Sequence, residues 1–164
     1  MTAKKTDLSF YDPESVPDGS GYRIGILVSS WNEEITGALL KGSITSLTTN
    51  GVSPEDIITR HVPGSYELPQ AAAMMIDSLE PDAVICIGCV IQGETRHFEF
   101  ICQAVANGCM ELGIESATPV IFGVLTTDTY EQAKERAGGS QGNKGEEAAI
   151  AALRMAALRK NLEE

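Results

Sequence analysis

IGCVIQGETRHF, residues 87–98, is the stretch on which the fold turns. An apolar run, Ala83, Val84, Ile85, Cys86 and Ile87, leads into it, and Gly88 and Gly93 interrupt it. Glu94, Thr95, Arg96 and His97 then place polar groups at four consecutive positions. From Phe98 onward the apolar residues Ile101, Cys102, Val105, Cys109 and Leu112 recur at helical spacing. A buried strand that passes through a polar loop into a helix is where open α/β sheets seat their ligands. Loop N–H groups and the start of the helix can hold an anion there. His97 adds an imidazole, the side chain suited to moving a proton.

Upstream, Arg23 to Ser29 has the composition of a buried strand, and Ser30, Trp31 and Asn32 of the turn after it. Asn32 is a favoured N-cap, and Glu33 and Glu34 suit the positive end of a helix. That helix is expected to bury Leu40, Ile44 and Leu47 and to end at Asn50-Gly51. Ile57 to Val62 is a second strand, in which His61 has no visible partner and is expected to be a sheet or surface residue. Pro63-Gly64-Ser65-Tyr66-Glu67 is a turn, and the next helix carries Leu68, Ala72, Met75, Ile76 and Leu79, with Pro69 in its first turn and Pro81 past its end. Trp31, the only tryptophan, is either a ring closing the end of the core or a stacking platform.

Downstream, Pro119 to Leu125 is expected to be another buried strand, with Phe122 its one aromatic. Thr129-x-x-Gln132 resembles a capping box for a short helix that stops at Gly138-Gly139. GGSQGNKG (138–145) is read as a turn, and a last helix aligns Ala151, Met155, Leu158 and Leu162 on one stripe. This alternation predicts an α/β three-layer sandwich: a four-stranded parallel sheet with right-handed crossovers and helices on both faces. Each polar or aromatic cluster is expected at the carboxyl end of a strand, in one site. Residues 1–22, punctuated by Pro13, Pro17, Gly19 and Gly21, form an irregular N-terminal arm. Its Leu8, Phe10 and Tyr11 suit a short edge strand, an arm reaching a neighbour, or a frayed tail. Residues 23–164 form one domain.

The totals narrow the function. A length of 164 residues with 43% hydrophobic content suits one soluble domain with a real core. No apolar run approaches the roughly 20 residues that cross a bilayer, and MTAKKTDLSFYDPE lacks the apolar centre of a secretory signal. A cytoplasmic location is expected. The formal net charge of −11 disfavours nucleic-acid binding, and an anionic substrate would need locally placed cations. Cys86 and Cys89 spell C-x-x-C, but residues three apart on a strand face opposite ways, so core packing is expected for them and for Cys102 and Cys109.

The candidate machinery is therefore a histidine (His97), a carboxylate (Glu67), flat surfaces (Trp31, Tyr66, Phe122) and two cations (Arg136, Lys144). Metal-ligand spacing, a Gly-x-Ser-x-Gly elbow and a dinucleotide fingerprint are all lacking. GSQGNKG is not a P-loop, because Lys144 is followed by Gly145 rather than Ser or Thr and lies between two helices. These parts suit holding a flat heterocycle beside a phosphorylated small molecule, with proton transfer by histidine.

Six segments make the resemblance specific: SSWNEEIT (29–36), VPGSYELP (62–69), GCVIQGETRHFEF (88–100), PVIFGVLT (119–126), EQAKERAGG (131–139) and GNKGEEAA (142–149). In this order they resemble the 6,7-dimethyl-8-ribityllumazine synthase family of riboflavin biosynthesis, over about residues 23–160. The resemblance implies a flavodoxin-like fold. It also implies a condensation of 5-amino-6-(D-ribitylamino)uracil with 3,4-dihydroxy-2-butanone 4-phosphate that needs neither cofactor nor metal. The amine attacks the ketone, an imine forms, phosphate leaves, and ring closure with loss of water gives the lumazine. Carried over by position, His97 would move protons and Trp31 would stack on the pyrimidine. Ser65, Tyr66 and Glu67, with Cys89, Val90 and Ile91, would hold the pyrimidine and its ribityl chain. Glu94 and Thr95, largely through backbone N–H groups, and Arg136 would bind phosphate. Phe122, Arg136 and Lys144 would come from the adjacent subunit.

Two positions depart from the family pattern: Trp31 stands where many members have Phe, and Gln92 where many have Arg. The family implies a homo-pentamer, which some members stack into a sixty-subunit shell, and the short 138–145 turn resembles the shell formers. Riboflavin synthase is the other partner it implies. The competing readings are a non-catalytic flavin- or lumazine-binding shell protein on the same scaffold, and a flavodoxin-like carrier or receiver domain. Intact His97 and Arg136 argue against the first. A receiver needs acidic residues after the first strand, where Val28-Ser29-Ser30 stands.

Overall fold

The computed structural model of the chain describes residues 11–163. Leu8 and Phe10 of the expected arm lie outside them. Tyr11 is half-buried and in no strand, and Pro13–Ser15 form one tight helical turn.

Four strands, β1 (Ile24–Ser29), β2 (Ile57–Val62), β3 (Ala83–Ile91) and β4 (Val120–Thr127), form an all-parallel sheet in the order β2-β1-β3-β4. The two central strands are the two whose sequences are nearly unbroken apolar runs. Strands covered on both faces and paired on both edges have no polar direction in which to point. Ile24, Ile26, Val28, Ile85 and Ile87 pack under α1 (Glu33–Thr49) and α5 (Lys144–Glu163). Leu27, Val84 and Cys86 pack under α2 (Leu68–Leu79) and α3 (His97–Ser116). The expected three-layer sandwich is therefore present. Cys86 and Cys89 do fall on opposite faces. Among the described residues no group of three or more His, Cys, Asp and Glu could hold a metal, and no helix is long and apolar enough to cross a membrane.

Four expectations need correction, and small residues account for two of them. The buried face of α1 carries Ile35, Leu39, Gly42, Ser43, Ser46 and Leu47, whereas Leu40 and Ile44 lie half-buried at its flank. On α5 the buried face is Ala148, Ala149, Ala152, Leu153 and Ala156, and the expected stripe of Met155, Leu158 and Leu162 is exposed. The two helices meet through Gly and Ala because their backbones approach closely. A Cβ at Gly145 would lie 1.9 Å from the Leu39 carbonyl oxygen. The β4 strand is not fully buried, since as an edge strand it leaves Phe122 43% exposed. Finally, the short helix α4 (Tyr130–Glu135) stops at Arg136, and GGSQGNKG is a hairpin of β5 (Ala137–Gly139) and β6 (Gly142–Asn143). Gly138 and Gly142 adopt φ of 106° and 77°, which suits their residue type.

Candidate functional site

The carboxyl ends of β1, β2 and β3 open into a cleft of about 780 Å³. Trp31 and Asn32 reach it from the β1–α1 turn, and Gly64, Ser65, Tyr66 and Glu67 from the β2–α2 turn. Cys89, Val90 and Ile91 end β3, and His97 and Ile101 occupy one face of the first turns of α3. The imidazole at 97 and the indole at 31 thus line one space. Trp31 is 72% exposed, so it is a shelf over the opening and not a plug in the core. Its edge lies over Gly64, where a Cβ would come within 3.2 Å of the indole Cδ1.

Local hydrogen bonds explain why this chain turns as it does. Glu67 Oε2 accepts from the Gly64 N–H at 3.0 Å, closing the tight turn Ser65–Glu67 that feeds α2. Ser65 is buried with a hydroxyl that has no hydrogen-bond partner among the described residues. It sits directly over Gly88, where a Cβ would be 2.5 Å from its Oγ, so glycine in β3 is what admits the turn. Thr95 Oγ1 accepts from the His97 N–H at 3.3 Å and so supports the start of α3. Asn32 departs from its expected role: it adopts φ of 57° and makes no side-chain cap. Its Nδ2 instead donates to the Cys89 carbonyl at 3.0 Å, tying the tip of β1 to the tip of β3. Burial pushes the Cys89 thiol up to about 11, which keeps it a neutral wall at physiological pH. The Cys86 thiol is also raised, by its contact with Cys109 and then by burial.

Phe122, Arg136 and Lys144 do not join this cleft. They line a second one of about 400 Å³, together with Thr126, Thr127 and Glu147, at the edge of β4. Phe122 is also not at a strand end: it pairs with Cys86, well below the tip. The single convergence of all strand tips is thus, within one chain, two clefts with no shared lining residue. Arg136 Nη1 donates to the Gln132 carbonyl at 2.9 Å. Lys144 Nζ pairs with both oxygens of Glu147 at 2.7 and 2.8 Å, so its charge is already met in part within α5. The loop 92–96, with exposed Glu94 and Thr95, rises from the ridge between the clefts. Ile91 on one side is in register with Thr127 on the other, and the Gln92 N–H donates to the Thr127 carbonyl at 2.8 Å.

Asn32, Gly64 and Ile101 line the first cleft without having been singled out for it. Ile101 had a usable signal, being four residues past His97 on the same helical face. Asn32 had a misleading one, since its capping chemistry masks a reach to another strand.

The fold and cleft define a class: a doubly wound α/β protein with an open, mostly apolar ligand site at the ends of its parallel strands. The comparisons make it specific. The profile of the 6,7-dimethyl-8-ribityllumazine synthase family matches residues 21–160. A protein of Porphyromonas gingivalis named 6,7-dimethyl-8-ribityllumazine synthase is 54% identical over 158 residues, spanning 96% of this chain and 98% of its own length. Proteins of the same name from Cytophaga hutchinsonii and Parabacteroides distasonis are 51% and 48% identical, spanning 96% and 94% of this chain and 98% and 97% of their own lengths. The chain belongs to the 6,7-dimethyl-8-ribityllumazine synthase family.

Proposed function

We propose that this chain condenses 5-amino-6-(D-ribitylamino)uracil with 3,4-dihydroxy-2-butanone 4-phosphate to 6,7-dimethyl-8-ribityllumazine, the penultimate step of riboflavin biosynthesis. The observation that carries the reading is the pairing of His97 with Trp31 across one cleft, on a chain matched to this family over nearly its whole length. In the proposed complex the pyrimidine lies on the Trp31 shelf. Ser65, Tyr66, Glu67, Cys89, Val90 and Ile91 hold its edge and the ribityl hydroxyls. The phosphate sits at the ridge, against the backbone of Glu94 and Thr95 and the guanidinium of Arg136. Phe122, Arg136 and Lys144 are supplied by the adjacent subunit of a homo-pentamer, which completes the wall that a single chain leaves open.

His97 then takes the proton released as the 5-amino group adds to the ketone, and returns protons as water and phosphate depart. Holding both substrates in register removes much of the entropic barrier, and histidine-mediated proton transfer adds about 10²–10⁴-fold. The same reading extends to a cytoplasmic location, a sixty-subunit shell and riboflavin synthase as a partner. Residues 1–22 are read as an arm outside the catalytic domain.

The test is direct. Purified protein mixed with both substrates should generate the lumazine absorbance and release phosphate in equal amount. A chain that binds the product but releases no phosphate is instead a non-catalytic lumazine-binding protein. Native mass determination checks the assembly.

A further inference from the structure

The hairpin that carries the cationic cleft is tied to α1 by an amide side chain. Asn143 Nδ2 donates to the Ala38 carbonyl of α1 at 3.1 Å, and its Oδ1 accepts from the Gly145 N–H of α5 at 2.8 Å. Asn143 lies in β6 directly across from Ala137, the residue after Arg136. The next residue, Lys144, donates its backbone N–H to the Arg136 carbonyl at 2.9 Å. Two glycines make room for the amide: a Cβ at Gly42 would come within 2.6 Å of it, and one at Gly145 within 2.9 Å of its Oδ1. Ser43 Oγ, on the same face of α1, donates to the Gly145 carbonyl at 2.7 Å. A half-buried three-way joint thus links α1, the hairpin and α5: Lys144 is the residue next to it, and the Arg136 carbonyl accepts from the Lys144 N–H.

We propose that Asn143 is a positioning residue that sets where Arg136 and Lys144 stand, and so sets affinity for the phosphorylated substrate. This rests on the reading above in which those cations meet the phosphate. The two bonds of Asn143 divide the work. The Oδ1 bond caps α5, a task that serine performs equally well at a helix start. The Nδ2 bond to Ala38 moors the hairpin to α1, and the shorter serine hydroxyl cannot span it. A displacement of a few tenths of an ångström at a charge-assisted contact is enough to weaken it measurably.

Asn143→Ser therefore separates mooring from capping. It should raise KM for the butanone phosphate and the inhibition constant of inorganic phosphate by about fivefold, the factor expected for one lost neutral hydrogen bond. The pyrimidine KM should stay within about twofold, because the Trp31 cleft is untouched. Asn143→Ala should show the same KM shift plus a lower Tm from loss of the cap. Unchanged KM values in Asn143→Ser, equal shifts for both substrates, or a fall in Tm alone would overturn the mooring role. Arg136→Ala serves as the control. If it leaves phosphate affinity intact, the phosphate clamp itself is wrong and the mooring falls with it. If it weakens phosphate affinity and Asn143→Ser does not, only the mooring is wrong.

Discussion

The cleft beneath Trp31 and the cleft beside Phe122 are built in opposite ways. The first is made by the tips of parallel strands and the turns that leave them, with its aromatic rings and imidazole standing largely in solvent. The second is made by a strand edge, a hairpin and the start of a helix, with its cations already engaged by a carbonyl and a carboxylate. One joins flat rings to an imidazole, the other joins a single ring, Phe122, to positive charge, and neither holds both the imidazole and the cations. A protein with an overall charge of −11 that needs to hold an anion must concentrate its cations locally, and the second cleft does so. On the function proposed above, a complete site requires the two surfaces to meet, which the junctions of a closed ring would bring about.

The sharpest way to break this comparison is to divide the two clefts between different chains. His97→Ala should lower kcat about 10²–10⁴-fold while leaving pyrimidine binding intact, since proton transfer is lost and the shelf remains. Arg136→Ala should raise KM for the butanone phosphate about 10–100-fold, the range for a charge-assisted contact, with a much smaller change for the pyrimidine. Co-expressing the two inactive variants should then restore activity to about a quarter of the parental level, because random assembly leaves that fraction of junctions with both His97 and Arg136. Mixed oligomers that stay inactive would mean that both residues must come from one chain.

The two regions also differ in how legible they were. The strand tips could be read because a buried central strand must be continuously apolar, and β1 and β3 are. The residues after β1 and β3, Trp31 and His97, then had one place to go, and Ser65–Glu67 follow the neighbouring edge strand β2. The hairpin region was opaque for a physical reason. Its supports are Gly42, Ser43, Gly145 and Ala149, residues too small to register as a hydrophobic stripe, and close helix approach selects such residues. The larger side chains that do register on α5, Met155, Leu158 and Leu162, mark a surface and not the core. Asn32 was misread because the distance from its amide to Cys89 spans 57 positions of sequence, which no local pattern encodes.

Within the first cleft, Trp31→Ala should weaken the pyrimidine and the lumazine product about tenfold, the upper range for loss of an aromatic pairing. KM for the butanone phosphate should change little. Trp31→Phe should recover most of the affinity, because a smaller ring still covers Gly64. Product titration monitored by the quenching of lumazine emission would measure both variants. Equal losses for the two substrates would place Trp31 in the scaffold instead of on the ligand.

The smallest effect concerns a link between the two regions. Glu34, in the first turn of α1 just past Trp31, accepts from the Tyr130 hydroxyl and pairs with Lys134 at 3.2 Å, so the start of α1 is strapped to α4, whose end carries Arg136. The Tyr130 hydrogen bond first, and Lys134 second, hold the Glu34 carboxyl below its usual range, while Glu34 raises the Tyr130 phenol. The signs define a window. A depressed carboxyl contributes stability above its unfolded value that is lost as pH falls through the folded one. A raised phenol contributes below its unfolded value and loses it as pH rises through the folded one. Tyr130→Phe should therefore lower Tm slightly at neutral pH, and the difference from the parent should vanish in acid once Glu34 is protonated. Glu34 and Lys134 face solvent whereas Tyr130 is half-buried, so moderate salt should shrink the Lys134 share while leaving the Tyr130 share. If the strap also aligns the two clefts, Tyr130→Phe will raise KM for the phosphate substrate at neutral pH and not for the pyrimidine. A Tm difference that persists unchanged into acid would show that packing of the ring, and not the hydrogen bond, joins the regions.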